Sequence, residues 1–563
     1  MDTLKAGQNR CAFVVVFLVA ATLMLTSLQH PLRIPPDAAV HLQAAKMILS
    51  GKVPYVDFFD RDPPMVSYLN VPAALIAAQL HQPLPLPYEI LVCLTVAGSC
   101  ILLSAVLLSS LPADPVSAGV PPASTRKGES RHYPFLIAAY ALFSLLIGPE
   151  LGTREHLLVL FCTPYLFVRF ARAAGTSTNR SVAIAAGLAA GIGFNLDWIF
   201  LAYPLILEVF YLIYGAKDWR RFFKAPELAS LLAVTALYLL HFLFLSPKEL
   251  FNYVTIVAPL SRAMCDLPDA VLGFVTKSPD RRDIISIFSA TLMLAFLLSR
   301  RCSFMMPLTI FAFTCLEIYI YRALGFSHEL LPLILACTLT TALSFSIGFH
   351  AARQRFKWQQ SVAVKCAGAS ILTFGFLGMA AYLLLQPVLF GLHDAKTGAP
   401  LLGDLSPFAQ RLAAATNHGD RVLFINGFER PAYPLIVQLG LEPGSRWLYE
   451  FPVRAFLKLD QHPDSPYAPL LKYKDAYYSQ LLKDIVELKP KFIAIQSGEL
   501  GLIFDTSDFH QLIRDYKIDP EFNFNIYSEF ENMDQHRLEV VGDEYAFAVY
   551  RLDTPFAAPH SWR

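Results

Sequence analysis

Acidic side chains are concentrated directly after the first apolar run of the chain, where a carboxylate could do proton-transfer chemistry. Asp37 opens this group, and Asp57, Asp60 and Asp62 follow it. A carboxylate within hydrogen-bonding reach of a hydroxyl group can act as its general base. Asp37 is therefore the first candidate for a catalytic base, acting on a sugar or lipid hydroxyl. Because it follows Pro35-Pro36, it also suits a helix N-cap, and the two roles are compatible.

Arg61 lies between two of these carboxylates and is a candidate for binding a phosphate group. A guanidinium offers planar, paired donors that match phosphate oxygens. The alternative is that Asp57, Asp60, Arg61 and Asp62 form a solvated loop with local ion pairs. Pro63-Pro64 follows and favours an extended backbone before the next helix.

Two further polar groups interrupt the apolar part of the chain. One is the turn Glu150–His156, and the other is formed by Arg322 and Ser327–Glu329. Charged side chains at a membrane edge are costly unless they are paired or face an aqueous cavity. Candidate phosphate ligands are Arg154 and His328, and further site candidates are Glu155 and His156. The alternative for all four is structural, as snorkelling, helix-start or packed side chains.

These candidates must be positioned by a membrane-embedded framework. The chain has 563 residues, of which 55% are hydrophobic and 13% aromatic, and its mean hydropathy is +0.44. Such a composition excludes an ordinary soluble protein. The net charge of +1 gives no reason to expect a nucleic-acid partner. All nine cysteines lie at or before Cys366, and no pair has zinc-site spacing.

The apolar runs predict a polytopic α-helical membrane protein with about eleven spans. The predicted spans lie near 11–29, 88–111, 133–148, 154–171, 181–196, 198–215, 228–246, 284–299, 303–321, 329–348 and 361–390. An apolar helix at 63–80 is expected to lie at the outer surface or to re-enter the membrane there. With that placement, the basic loops fall on the side of the N-terminus, which the positive-inside rule makes cytoplasmic.

Domain boundaries follow from this topology. Residues 1–390 form the predicted transmembrane domain, whose first outer loop is 30–87, and residues 391–563 form an extracytoplasmic domain. Apolar runs at 421–426 and 491–496 predict buried strands, and Tyr477–Leu488 predicts a helix between them. A late strand is expected at 545–551. Alternating strands and helices predict a soluble α/β layer.

The sequence resembles polytopic glycosyltransferases of the C-type fold, of the lipid A aminoarabinose transferase and protein O-mannosyltransferase kind. The resemblance rests on Asp37, on Ala44–Gly51, on Pro54–Asp60 with Pro63-Pro64, and on Arg154–His156 and Ser327–Pro332. Weaker similarities lie at 431–434, 446–447 and 489–492. The sequence departs from the common pattern of these enzymes at Asp62, where many members have a basic residue, and at Asp197-Trp198, where many have Lys-Pro.

This resemblance implies an inner-membrane enzyme of the cell envelope. The enzyme would move a sugar from a polyprenyl-phosphate carrier to a hydroxyl of a glycan, lipid or protein acceptor, on the outer side of the membrane. Asp37 would be the base, and Arg61, Arg154 and His328 would hold the departing phosphate. No cofactor is required, although the acidic cluster leaves a divalent metal possible. Two alternatives stay open: a lipid-linked glycan transporter or flippase, and a non-catalytic sugar-binding membrane protein.

Overall fold

The computed structural model of the chain divides into two compact units. One unit is built from Glu89–His241 and Cys265–Thr397, and the other from His30–Tyr88, Phe242–Met264 and Gly398–Arg563. The structure describes residues 34–109, 111–112, 132–146, 150–173, 176–214, 224–244, 246–264, 281–298, 304–322, 327–355, 407–426, 429, 431–496, 516–518, 524–525 and 546–552. The predicted domain boundary at residues 390 and 391 lies outside these ranges. We call the two parts the helical unit and the mixed unit.

Helices dominate the described residues. In chain order they are α1 (Pro36–Leu49), α2 (Met65–Leu80), α3 (Pro85–Ser109), α4 (Tyr133–Leu146), α5 (Arg154–Ala173), α6 (Arg180–Phe194), α7 (Ala202–Tyr214), α8 (Pro226–Phe244), α9 (Pro247–Asn252), α10 (Ala258–Ala263), α11 (Arg281–Leu298), α12 (Met305–Arg322), α13 (Leu331–Arg355), α14 (Pro407–Ala415), α15 (Ala432–Gln438), α16 (Phe451–Gln461) and α17 (Lys474–Leu488). Short 3₁₀ segments lie at Trp198–Leu201, Ser327–Leu330 and Ala468–Tyr473, and a π-helical turn, Tyr253–Val257, joins α9 to α10.

Four stretches within the described residues are long and apolar enough to cross a membrane. They are α3, α5, α8 and the segment His328–Gly348. The other predicted spans within the described ranges coincide with the helices α4, α6, α7, α11 and α12. The predicted spans at 11–29 and 361–390 lie outside those ranges, so the count of eleven stays a prediction. The apolar segment at 63–80 forms α2, and its position at the outer surface also stays a prediction.

Helix α6 lets the helical unit pack closely, because small residues occupy its contact faces. A Cβ atom on Gly187 would lie 2.1 Å from the backbone oxygen of Glu227, on α8. One on Gly193 would lie 2.7 Å from the sulfur of Cys162, on α5. Small residues at such crossings allow two helix backbones to approach, which is a common device of membrane helices.

A buried ion network ties α5, α7 and α8 together. Arg169 donates from Nε to Glu208 at 2.7 Å and from Nη1 to Glu227 at 2.9 Å. Tyr165 donates to the same Glu208 at 2.7 Å, and Arg172 pairs with Glu227. Two arginines thus balance two glutamates, which is the condition for burying charge among apolar helices. We interpret this network as structural.

In the mixed unit, α1 begins earlier than an N-cap at Asp37 would place it. Its N-cap is Pro35, and no side chain caps it. The prediction that Asp37 is the N-cap is therefore wrong: Pro36 occupies the first helical position, which proline favours, and Asp37 lies in the first turn. The helix ends at Leu49, and Gly51, two residues later, has a φ of +87°, a conformation that favours glycine.

The C-terminal part of the mixed unit is organised around a mixed β-sheet. Its strands are β3 (Arg421–Ile425), β4 (Glu442–Pro443), β5 (Phe492–Gln496), β6 (Tyr516–Ile518), β7 (Phe524–Asn525) and β8 (Ala546–Leu552). A separate short pair in the helical unit, β1 (Leu111–Pro112) and β2 (Thr176–Ser177), is antiparallel. The order is β4-β3-β5-β8-β6, with β7 beside β8; β3 is parallel to β4 and β5, and β8 is antiparallel to β5 and β6. The strands predicted at 421–426, 491–496 and 545–551 and the helix preceding β5 are all present.

The first loop packs directly on this C-terminal part. The Phe59 amide donates to the Arg446 carbonyl at 2.8 Å, and the Leu448 amide donates to the Phe59 carbonyl at 2.9 Å. The rings of Phe59 and Trp447 stack with centroids 4.6 Å apart. Lys46 on α1 forms an ion pair with Glu442 at 2.6 Å. The loop and the C-terminal part therefore share one core within the mixed unit.

The close crossing of α6 and α8 can be tested by adding one methyl group. Gly187→Ala should lower the free energy of unfolding by about 1–3 kcal/mol, because its new carbon meets backbone that has little room to move. The measurement is thermal unfolding of the purified protein in detergent. Gly98→Ala on α3 is the control, since a Cβ there has nothing within 4 Å. Equal melting temperatures for the two variants would contradict the described crossing.

Candidate active site

His41 lies at the centre of three of the acidic residues that the sequence singled out. Its Nε2 is 3.5 Å from Asp37 Oδ1 and 3.6 Å from Asp62 Oδ2, and its Nδ1 is 3.3 Å from Asp60 Oδ2. All four side chains are buried, and His41 is only 1% exposed. We call these four residues the acidic site. His41 is not among the residues singled out from the sequence, although its spacing of four from Asp37 places both on one face of a helix.

The loop after α1 brings Asp60 and Asp62 back towards the helix. Tyr55 adopts a φ of 56°, a left-handed conformation that non-glycine residues rarely occupy. Its hydroxyl donates to the Asp62 carbonyl, and its own carbonyl accepts from Asn252 Nδ2 at 2.7 Å. Asp60 Oδ1 accepts from the Arg61 amide at 2.7 Å. The strained turn is thus held by contacts on both sides, which is common at functional sites.

Electrostatic attraction sets the protonation of His41. Burial lowers the pKa of the imidazole, but the nearby carboxylates of Asp37 and Asp60 outweigh burial and raise the pKa from 6.5 to about 10. His41 is therefore an imidazolium at neutral pH. It compensates buried carboxylates that would otherwise repel one another.

Arg61 supplies the second positive charge beside the acidic site. Its Nε is 3.7 Å from Asp62 Oδ1, and its Nη1 is 3.7 Å from Oε1 of Glu429. Among the described charges in contact here, four carboxylates surround two cations: Asp37, Asp60, Asp62 and Glu429 against His41 and Arg61.

The donor set of the acidic site also suits a divalent metal. One ligand atom from each of Asp37, His41 and Asp62 falls within 4.8 Å of the others. Within the described residues, both ring nitrogens of His41 and Oδ2 of Asp60 lack a hydrogen-bond partner of good geometry. Carboxylate and imidazole ligands suit several divalent ions, but the imidazole must first lose its proton. A metal ion and a proton therefore compete for a ring nitrogen of His41.

Asp57 lies apart from the acidic site, although it belongs to the same loop. Its side chain is exposed, and its Oδ2 accepts from the Val53 amide at 2.8 Å within a turn. This contact is local, and it gives Asp57 a structural role.

The remaining predicted site residues belong to a second cluster, within the helical unit. Arg154 is fully buried, with Nη2 3.2 Å from Glu155 and Nη1 3.5 Å from Asp197. Arg322 pairs with the same Glu155, with Asp197 at 2.8 Å and with Glu329 at 3.4 Å. We call this group the arginine cluster. The structure thus joins the two polar groups singled out from the sequence, Glu150–His156 and Arg322 with Ser327–Glu329, and brings Asp197 to them.

The two histidines near the arginine cluster have different surroundings. His328 lies 3.9 Å from both Glu150 and Glu155. His156 accepts from the Gly152 amide at 2.9 Å through Nδ1, which closes the turn before α5. Across the cluster, the described contacts place four carboxylates against two arginines: Glu150, Glu155, Asp197 and Glu329 against Arg154 and Arg322. These ion pairs give both arginines carboxylate partners within the helical unit, and the predicted phosphate role of Arg154 and His328 stays a prediction.

Comparison with known proteins gives only distant structural likenesses. No protein-family profile and no curated protein matches the sequence. Among solved structures, the archaeal oligosaccharyltransferase AglB from Archaeoglobus fulgidus, in complex with an inhibitory peptide and a dolichol-phosphate, is 12% identical at a TM-score of 0.47, covering 89% of this chain and 70% of that one. The Archaeoglobus fulgidus oligosaccharyltransferase in complex with Zn and sulfate is 11% identical at a TM-score of 0.45, covering 88% and 69%. Likeness at this level establishes neither family nor function.

The raised pKa of His41 makes stability depend on pH in the metal-free protein. The contribution of the imidazolium is complete below pH of about 6.5 and disappears as the pH rises through about 10. In chelator-treated protein, His41→Gln should therefore lose most stability relative to wild type at pH 6 and progressively less towards pH 10. Melting temperatures of both proteins across this range test it. The exposed His462, replaced by Gln, is the control, and a pH-independent difference for His41→Gln would contradict the ion cluster.

The arginine cluster predicts a large stability effect at Arg322. Arg322→Met keeps the apolar stem but leaves Glu155, Asp197 and Glu329 short of one cation. Breaking a buried ion pair in this way typically costs about 3–5 kcal/mol. Thermal unfolding in detergent measures the loss, with Arg180→Met at an exposed position of α6 as the control. A variant as stable as wild type would show that the ion pairs of Arg322 do not stabilise the fold.

Proposed function

We propose that the protein is a membrane glycosyltransferase that moves a sugar from a polyprenyl-phosphate carrier to an acceptor hydroxyl on the outer side of the membrane. The observation that carries the proposal is the buried acidic site, in which Asp37 faces an imidazolium and two further carboxylates. It is supported by four helices long and apolar enough to cross a membrane. Burying several carboxylates together costs folding free energy, and a strained turn holds these carboxylates in place. Both features are typical of functional sites.

Asp37 is the base in this proposal. The acceptor hydroxyl gives its proton to the Asp37 carboxylate while its oxygen forms a bond to the anomeric carbon of the sugar. The bond between that carbon and the phosphate oxygen breaks, and the polyprenyl phosphate leaves with the electron pair. The His41 imidazolium places positive charge beside Asp37, Asp60 and Asp62, and so offsets the repulsion between these carboxylates.

Arg61 is the proposed contact of the departing phosphate. Its guanidinium borders the acidic site, 3.7 Å from both Asp62 and Glu429. A guanidinium offers planar, paired donors that match phosphate oxygens. The phosphate role of Arg154 and His328 stays a prediction.

A divalent cation at this site would be held by Asp37, His41 and Asp62. When bound, it would supply positive charge for the developing charge of the leaving phosphate. The chain's own residues perform the remaining tasks: Asp37 takes the proton, and Asp60, Arg61 and the turn at Tyr55 hold the geometry.

Asp37→Asn separates an enzyme from a transporter or a sugar-binding protein. An amide cannot take up the acceptor's proton, and general-base assistance is typically worth about 100- to 10,000-fold in rate. We expect Asp37→Asn to fold, to bind a short-chain prenyl-phosphate sugar, and to lose at least about 100-fold in transfer to a hydroxyl acceptor. The assay follows labelled sugar from donor to acceptor, using purified protein in lipid nanodiscs.

Asp57→Asn is the matched control, because it makes the same chemical change in the same loop but outside the acidic site. It should retain wild-type transfer. Wild-type transfer by a folded Asp37→Asn protein would remove Asp37 as the base. Movement of intact lipid-linked sugar across the bilayer without transfer would instead support the transporter.

A further inference from the structure

Tyr433 carries a buried hydroxyl that the proposed reaction does not use. Its side chain is 0% exposed, and its hydroxyl has no hydrogen-bond partner among the described residues. A buried hydroxyl without a partner loses its hydrogen bonds to water and forms none in exchange. Because this costs free energy, buried polar groups almost always have hydrogen-bond partners. Such a group in a candidate site is a sign of a ligand.

The backbone of Tyr433 is not helical, although the residue lies at the start of α15. Its φ of −111° and ψ of 134° are extended. Pro434 explains this, because the residue before proline is pushed out of the helical region. The Tyr433 amide donates to the Glu429 carbonyl at 2.9 Å, and the Glu429 carboxylate faces Arg61 at 3.7 Å. The segment is thus anchored beside the acidic site, and α15 packs against α1.

Tyr433 and Asp60 offer complementary hydrogen-bonding groups. Burial, and then the charge of Asp60, raise the pKa of the Tyr433 phenol well above its usual range, so the phenol keeps its proton and donates. Asp60 Oδ2 is buried and lies 3.3 Å from His41 Nδ1, but no hydrogen bond of good geometry reaches it among the described residues. A carboxylate oxygen has more than one lone pair, so it can accept from a ligand. A sugar hydroxyl both donates and accepts, which matches this pair.

We propose that Tyr433 is a sugar-binding residue of the acidic site, donating its hydroxyl hydrogen to a ring hydroxyl of the lipid-linked sugar while Asp60 Oδ2 accepts from that hydroxyl or its neighbour. This inference rests on the proposed function and names a specificity determinant for it. The C-terminal part of the chain thereby selects the sugar that Asp37, in the first loop, helps to transfer. Sites built to bond a hydroxyl reject analogues that lack it, because their own buried groups are then left unpaired.

The test measures binding rather than turnover. Full-length protein in lipid nanodiscs is titrated with short-chain prenyl-phosphate hexoses and pentoses, and with analogues of the tightest binder that each lack one ring hydroxyl. Wild type should bind one of these deoxy analogues about 5- to 10-fold more weakly than the parent, which is the effect of one hydrogen bond. Tyr433→Phe should bind the parent more weakly by a similar factor and lose no more with that analogue.

Tyr477→Phe is the control, because it removes a buried phenol whose hydroxyl already donates to Glu450. It should lower the melting temperature without changing discrimination among the analogues. The same discrimination in Tyr433→Phe as in wild type would overturn the inference and leave the proposed function standing. A wild-type protein that binds none of the prenyl-phosphate sugars would overturn both.

Discussion

The ion cluster around His41 is the constraint on which the candidate site depends. Three carboxylates are buried together there, an arrangement that is costly unless positive charge compensates it. The imidazolium supplies that charge from within α1, one helical turn after Asp37. The strained turn at Tyr55 then places Asp60 and Asp62 on the other side of the ring. Stability and the candidate chemistry therefore rely on the same few contacts.

In the helical unit, too, buried charges are compensated by ion pairs. The arginine cluster and the Arg169 network both surround guanidinium groups with glutamates or aspartates. Apolar surroundings make such groups expensive to leave unpaired, so the pairs fix which helices can be neighbours. The arginine cluster joins residues near the start of α5 to residues at the end of α12. Its composition explains why residues that resemble phosphate ligands in the sequence form ion pairs in the fold.

Local patterns in the sequence predicted much of the fold. Within the described residues, the apolar runs correspond to helices, and the strands at 421–425 and 492–496 lie where continuous apolar residues indicated them. Local patterns also brought together Asp37, Asp60 and Asp62. They could not place Tyr433, Glu429 or Arg322, because these contacts join residues far apart in the chain. The N-cap assignment of Asp37 was wrong because a proline before it already suits the first helical position.

The contact between the first loop and the C-terminal part has a consequence for biosynthesis. Gln43 and Lys46 reach Glu442 across 399 and 396 residues of chain. A ribosome that has just produced the acidic loop must still add the whole helical unit before Glu442 and Trp447 exist. Through that interval, the loop lacks the surface that covers its aromatic rings and pairs its charges. A chain that stops before Glu442 and Trp447 would therefore leave the loop nearest the N-terminus without this cover.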